Sequence, residues 1–153
     1  MVCLGNICRS PMAASVAASL VSEAGLDAAV TVESYGTAGY HGGEPADRRA
    51  DAALRRRGWP AGGHRARQLT AGDLRQLDLV LCADRDNLRA VRRLAPEQAD
   101  KVRLLRSFDP QAAPGDDEVP DPWGGDDAAF DEALTVIEVA CRGLVRELAA
   151  PPR

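Results

Sequence analysis

Apolar positions along the chain switch between two periods, and the switches mark out alternating helices and strands. Val16 and Leu20 recur at helical spacing after Pro11, a residue that a first helical turn tolerates, and the segment stops at Gly25. Val30 to Ser34 reads as a buried strand, followed by a glycine-rich loop from Gly36 to Glu44. Asp47 to Arg57 reads as a second helix closed by Gly58, and Thr70 with Asp73 forms a capping-box pair that opens a short third one. Leu79-Val80-Leu81-Cys82 is a buried strand, Asp84 to Leu94 a fourth helix ending before Pro96, and Val102 to Leu105 a last strand. Phe108 to Gly125 carries four prolines and no period, so a long loop is expected there. The final helix runs from about Asp126 to Leu148, with Phe130, Leu134, Ile137, Cys141, Leu144 and Leu148 on one apolar stripe. That alternation predicts an α/β fold with a parallel sheet.

Composition narrows the setting. A chain of 153 residues, 45% apolar, suits a single domain, 1–153, with one core. Net charge is −4, and no basic stripe of the kind that tracks nucleic acid is present, so no nucleic-acid partner is expected. Arginines crowd the stretch Arg48 to Arg67 and acids the stretch Asp116 to Glu132; both read first as solvated faces. No segment reads as a signal peptide or membrane span, so no membrane partner is expected. Four cysteines, Cys3, Cys8, Cys82 and Cys141, follow neither zinc-ligand nor secreted-framework spacing, and a reducing cytoplasm is the expected location. Cys82 lies in an apolar strand and Cys141 on the core stripe, so both are read as packing.

The stretch Cys3-Leu4-Gly5-Asn6-Ile7-Cys8-Arg9-Ser10-Pro11 changes the picture. It places a cysteine and an arginine at the two ends of a short loop that opens into a helix. Such a loop wraps a phosphate: the arginine forks onto two oxygens, successive N–H groups meet the others, and the helix start adds positive charge. The same field stabilises a thiolate, which makes Cys3 a candidate nucleophile. Asn6 is expected in an unusual backbone conformation, which asparagine tolerates. Cradles of this kind follow a strand, and a typical strand has about 5–6 residues. Only Met1 and Val2 precede Cys3, so the first, central strand is expected to be largely missing, with unpaired edges beside it and a loosely aimed loop. An apolar strand upstream of Val2 is expected in the natural product.

The stretch CLGNICRSPM resembles the active-site loop of the low-molecular-weight protein tyrosine phosphatases. Ser34 to Arg49, His64-Arg65-Ala66-Arg67 and Asp121-Pro122-Trp123 resemble three further motifs of that family, in family order and over nearly the whole chain. The resemblance implies a three-layer α/β/α fold around a four-stranded parallel sheet in flavodoxin-like order. It implies hydrolysis of phosphotyrosine in proteins and of small aryl phosphates, by a monomer without metal or other cofactor. Cys3 is then the nucleophile, ionised near neutral pH by Arg9, the Ser10 hydroxyl and the loop amides of Leu4, Gly5, Asn6, Ile7 and Cys8; electropositive sites lower a thiol from roughly 8.5 to about 3.5–7.5. Arg9 clamps the phosphate, and Asp121 is the general acid and then the base. A network of Asn6, Ser34, His64 and Asn87 supports the loop, and Leu4, Tyr40 and Trp123 wall the pocket. Cys8 either packs or forms a reversible disulfide that shields Cys3 from over-oxidation. Trp59 has no match and is read as packing.

Two departures bear on substrate. Gly124 stands where many relatives carry a second aromatic after Asp-Pro, which removes one pocket wall. Ile7 matches tyrosine phosphatases, whereas arginine-phosphate phosphatases tend to have threonine there. The rival activity on this fold, arsenate reduction, relays electrons through two further cysteines near the strand of Cys82, and only Cys82 is present. A non-catalytic phosphate-binding module is a further reading, kept open by the short first strand.

Overall fold

The computed structural model describes residues 1–152. Four parallel strands form one sheet: β1 (Val2–Cys3), β2 (Tyr35–Gly36), β3 (Val80–Cys82) and β4 (Val102–Leu104). Their spatial order is β2-β1-β3-β4, so the two-residue β1 is flanked on both sides. Val2 pairs with Tyr35 and with Cys82, and Cys3 with Gly36. The helices are α1 (Arg9–Glu23), α2 (Arg48–Arg56), α3 (Ala71–Gln76), α4 (Arg85–Leu94) and α5 (Asp127–Ala149). None is long and apolar enough to cross a membrane among the described residues.

Alternation along the strands builds the layers. Cys3 and Leu81 point into a core shared with α1, α2 and α5, where Met12, Val16, Leu54, Phe130, Leu134 and Ile137 are buried. Val2, Val80 and Cys82 point the other way, onto Leu74 of α3 and Val91 of α4. Asp47, Thr70 and Asp84 cap α2, α3 and α4 with their side chains, and Thr70 and Asp73 complete the capping box. The α5 stripe is buried from Phe130 to Leu144, and only its last member, Leu148, is exposed. Two short 3-10 segments, Pro96–Lys101 and Leu105–Phe108, bracket β4, where no period announced them.

The expected strand Val30–Ser34 is not formed. Pairing on that side starts at Tyr35, whose N–H donates to the Met1 carbonyl at 2.9 Å. Met1 reaches back once, its amino group donating to the Glu33 carbonyl at 2.7 Å. Beyond it a cleft of about 680 Å³ separates Val30–Glu33 from Leu77–Leu81, with Leu144 and Leu148 also lining it.

Candidate active site

Strand β1 ends at Cys3, and the chain from Leu4 to Cys8 curls over the carboxyl edge of the sheet before α1 begins at Arg9. Its carbonyls are tied outward. Thr37 N–H donates to the Cys3 carbonyl and Ala38 N–H to that of Leu4, both at 2.9 Å, and Asp47 N–H donates to that of Ile7 at 2.8 Å. His64 Nε2 lies 2.6 Å from the Asn6 carbonyl, which only accepts, so Nε2 carries the proton. Burial holds the His64 ring below its usual range, in keeping with this neutral donor. The N–H groups from Gly5 to Cys8 have no protein acceptor among the described residues. Carbonyls out and amides in is the polarity of an anion nest.

Asn6 makes the curl possible. It is fully buried at φ 58°, the one non-glycine residue with positive φ among those described. Its Nδ2 donates to Ser10 Oγ at 2.8 Å and Ser34 Oγ at 3.1 Å, while its Oδ1 accepts from Arg67 N–H at 2.9 Å. Ser10 Oγ lies 3.0 Å from Cys3 Sγ. Asn6, Ser10, Ser34 and His64 are therefore joined around the loop. Asn87 is buried, but its side chain makes no bond to them; its backbone N–H meets the Asp84 cap, and its Oδ1 has no donor among the described residues. Gly36 is packed against the loop so closely that a Cβ there would lie 2.8 Å from the Leu4 carbonyl.

Arg9 is 4% exposed and held edge-on. Its Nη1 donates to Asp84 Oδ2 at 2.7 Å and to the Val119 carbonyl at 3.0 Å. Asp121 Oδ2 stands 3.6 Å from Nη2, on the other branch of the fork. Asp121 is half exposed, and its Oδ1 accepts Trp123 N–H at 3.1 Å. Gly124 follows at φ 79°, and Gly125 N–H returns to the Pro122 carbonyl at 2.8 Å, a turn whose third position favours glycine. The far end of this loop is held by Arg49, which donates to the Gly125 carbonyl at 2.7 Å and pairs with Asp47.

Sequence reasoning missed Asp84. One oxygen of its carboxylate caps α4 and the other fixes Arg9. A signal was available: Asp84 is the second residue past β3, at the same sheet edge as Cys3.

Leu4, Tyr40 and Trp123 are three of the five exposed large apolar side chains among the described residues, and each sits on or beside a loop of this edge. Cys8 is 5% exposed and packs in the core; burial first, then the Asp47 carboxylate, pushes its thiol up to about 12. Cys82 and Cys141 are buried, and burial pushes both up to about 12. Trp59 packs against the core and donates from Nε1 to Glu138 at 2.7 Å.

A family model described as low molecular weight phosphotyrosine protein phosphatase matches residues 1–152. The chain belongs to this family. It is 49% identical over 146 residues to the low molecular weight protein-tyrosine-phosphatase of Streptomyces coelicolor, covering 94% of this chain and 88% of that one. Its fold superposes with TM-score 0.90 on a protein tyrosine phosphatase from Entamoeba histolytica, at 30% identity over 96% of this chain and 93% of that one. With Vibrio vulnificus Wzb, solved with benzylphosphonate, the TM-score is 0.82 at 30% identity, covering 95% and 94%. The phosphatase thus carries its family's fold, and the loop around Cys3 lies where α/β sheets bind ligands.

Proposed function

We propose that the phosphatase hydrolyses phosphotyrosine in protein substrates in two steps through a cysteinyl-phosphate, with Cys3, Arg9 and Asp121 as the catalytic residues. The observation that carries this reading is the division of labour around Arg9. Its Nη1 edge is consumed by Asp84 and Val119, which leaves Nε–H and Nη2–H as a parallel fork free for a phosphoryl group. A phosphoryl group gripped by that fork and by the amides of Gly5 to Cys8 would present phosphorus to Cys3 Sγ. Asp121, 3.6 Å from Nη2, would then stand within reach of the ester oxygen that leaves.

In the first step Sγ, assisted by the Ser10 hydroxyl, forms the S–P bond as the P–O ester bond breaks. Asp121 gives its proton to the departing phenolate. In the second, Asp121 takes a proton from water as that water forms a P–O bond and the S–P bond breaks, returning the thiolate and inorganic phosphate. Arg9 and the loop amides hold the equatorial oxygens throughout. The exposed Leu4, Tyr40 and Trp123 offer apolar faces to a substrate ring. Benzylphosphonate in Wzb is in keeping with a ring-bearing phosphoryl ligand.

The test is hydrolysis of aryl phosphates and of phosphotyrosine and phosphoarginine peptides. Cys3→Ser is expected to abolish turnover, and Asp121→Asn to lower kcat/KM by about 10²–10⁴ where the phenol is a poor leaving group. Undiminished activity of Cys3→Ser would refute the mechanism, and preference for phosphoarginine would refute the substrate.

A further inference from the structure

The loop that carries Asp121 has no helix or strand of its own from Asp109 to Asp126, yet its stem is closely tied. One side chain spans it. Arg106, in the 3-10 turn after β4, is 14% exposed. Its Nε lies 3.4 Å from Asp109 Oδ2 at the start of the loop. Its Nη1 reaches Asp116 Oδ1 at 2.6 Å and the Glu118 carbonyl at 3.1 Å. Asp109, 6% exposed, also turns the chain by accepting Gln111 N–H with its other oxygen. Immediately after this clasp come Val119, whose carbonyl meets Arg9, and then Asp121.

We propose that Arg106 is a positioning residue for the general acid: it clasps the two ends of the 109–118 segment and so sets the stem from which Asp121 faces Arg9. The inference rests on the reading of Asp121 given above. The guanidinium fork is what the task requires. A planar group with several fixed N–H directions serves a carboxylate at the loop start, another in mid-loop and a carbonyl in the stem at once, which an ammonium does not. The neighbouring tie is of a different kind. Glu118 Oε2 accepts Arg85 N–H at 2.7 Å and the Arg85 guanidinium lies 2.6 Å from Asp117 Oδ1, which anchors two side chains of the stem to α4 but leaves the arc from 109 to 116 open. A displacement of about 1 Å at a reacting group costs up to about a hundredfold in rate. A clasp backed by the Arg85 and Val119 contacts is expected to be worth about tenfold of that.

The experiment measures kcat/KM on a series of aryl phosphates with phenols of differing acidity, for wild type, Arg106→Leu, Asp121→Asn and the double variant. Arg106→Leu is expected to lose about tenfold on the poorest leaving groups and less than about twofold on the best. It is expected to add nothing in the Asp121→Asn background, because the acid it positions is gone. Arg106→Lys is expected to recover part of the loss, and Asp116→Asn, a change at an exposed partner, to show a smaller loss of the same leaving-group dependence. A loss equal for all leaving groups, or one that persists in the double variant, would overturn the inference, since a general weakening of the fold acts in both ways. If Asp121→Asn itself shows no leaving-group dependence, the acid assignment fails first. If it does and Arg106→Leu does not, only the clasp fails. Should Arg106→Leu not fold, the same readout on Asp116→Asn decides: no leaving-group dependence there counts against the clasp.

Discussion

Replacing Asn6 separates the two things that hold the phosphate loop in shape. Asn6 is fully buried at φ 58° and makes three side-chain hydrogen bonds. A buried bond contributes about 0.5–1.5 kcal/mol net, so their loss in Asn6→Ala costs about 3 kcal/mol. Alanine at this left-handed position adds about 1–2 kcal/mol, a strain that asparagine carries more easily. The sum, about 4–5 kcal/mol, is large against a total stability of about 5–15. For a chain of this size it lowers Tm by about 8–20 °C at roughly 2–4 °C per kcal/mol. Asn6→Gly loses the same bonds but accepts the backbone, so it is expected to recover up to about 1 kcal/mol. The assay is thermal unfolding of all three proteins alongside kcat/KM on an aryl phosphate, which both variants are expected to lower by at least about tenfold. An Asn6→Ala protein within about 1 kcal/mol of wild type would refute the bond accounting, and a glycine variant less stable than the alanine variant would refute the strain.

Two further outcomes follow from packing and from charge. Gly143 sits inside α5, where alanine ordinarily gains about 1 kcal/mol, but a Cβ there would lie 1.8 Å from the Phe108 carbonyl, which is backbone. Overpacking of about 1–3 kcal/mol or more should win, so Gly143→Ala is expected to lower the urea midpoint; a rise would show that the 3-10 turn yields freely. Burial lowers the His64 pKa in the folded state, so the native state binds its proton less readily than the unfolded chain. The stability that this ring contributes is present in full above about pH 6.5 and is lost as pH falls below it. His64→Gln is expected to flatten the decline in Tm between pH 7 and pH 5, and an unchanged decline would remove His64 as its source.

What was legible in the sequence was mostly local. The capping box at Thr70, the glycine stop after α1 and the α5 stripe from Phe130 to Leu144 depend on neighbours within a turn or two, and each formed as expected. The Cys3–Arg9 cradle was legible for the same reason, being one short loop. The partners of Arg9 were not. Asp84 is 75 residues away and Val119 is 110, and only the order β2-β1-β3-β4 brings them to one edge. Arg106 was hidden similarly: its partner Asp116 lies in the run of acids that read as solvated charge. Asn87 shows the converse: the resemblance placed it in the loop network, and its backbone caps α4 while its side chain makes no bond there.

The shortness of β1 leads one to expect a loosely aimed loop, and the register shows which of its residues are paired. A parallel strand is aligned by the pairs nearest the point of interest, and the two residues that β1 has are the two that end at the cradle. Val2 is paired on both sides, with Tyr35 and Cys82, and Cys3 with Gly36. Past Cys3 the ladder continues without strand assignment through Thr37 and Ala38 onto the carbonyls of Cys3 and Leu4. The residues without strand pairing that line the 680 Å³ cleft, Val30 to Glu33, lie at the opposite end of the sheet. Among the described residues the carboxyl edge, at which Cys3 ends β1 and Arg9 faces Asp121, keeps its pairing.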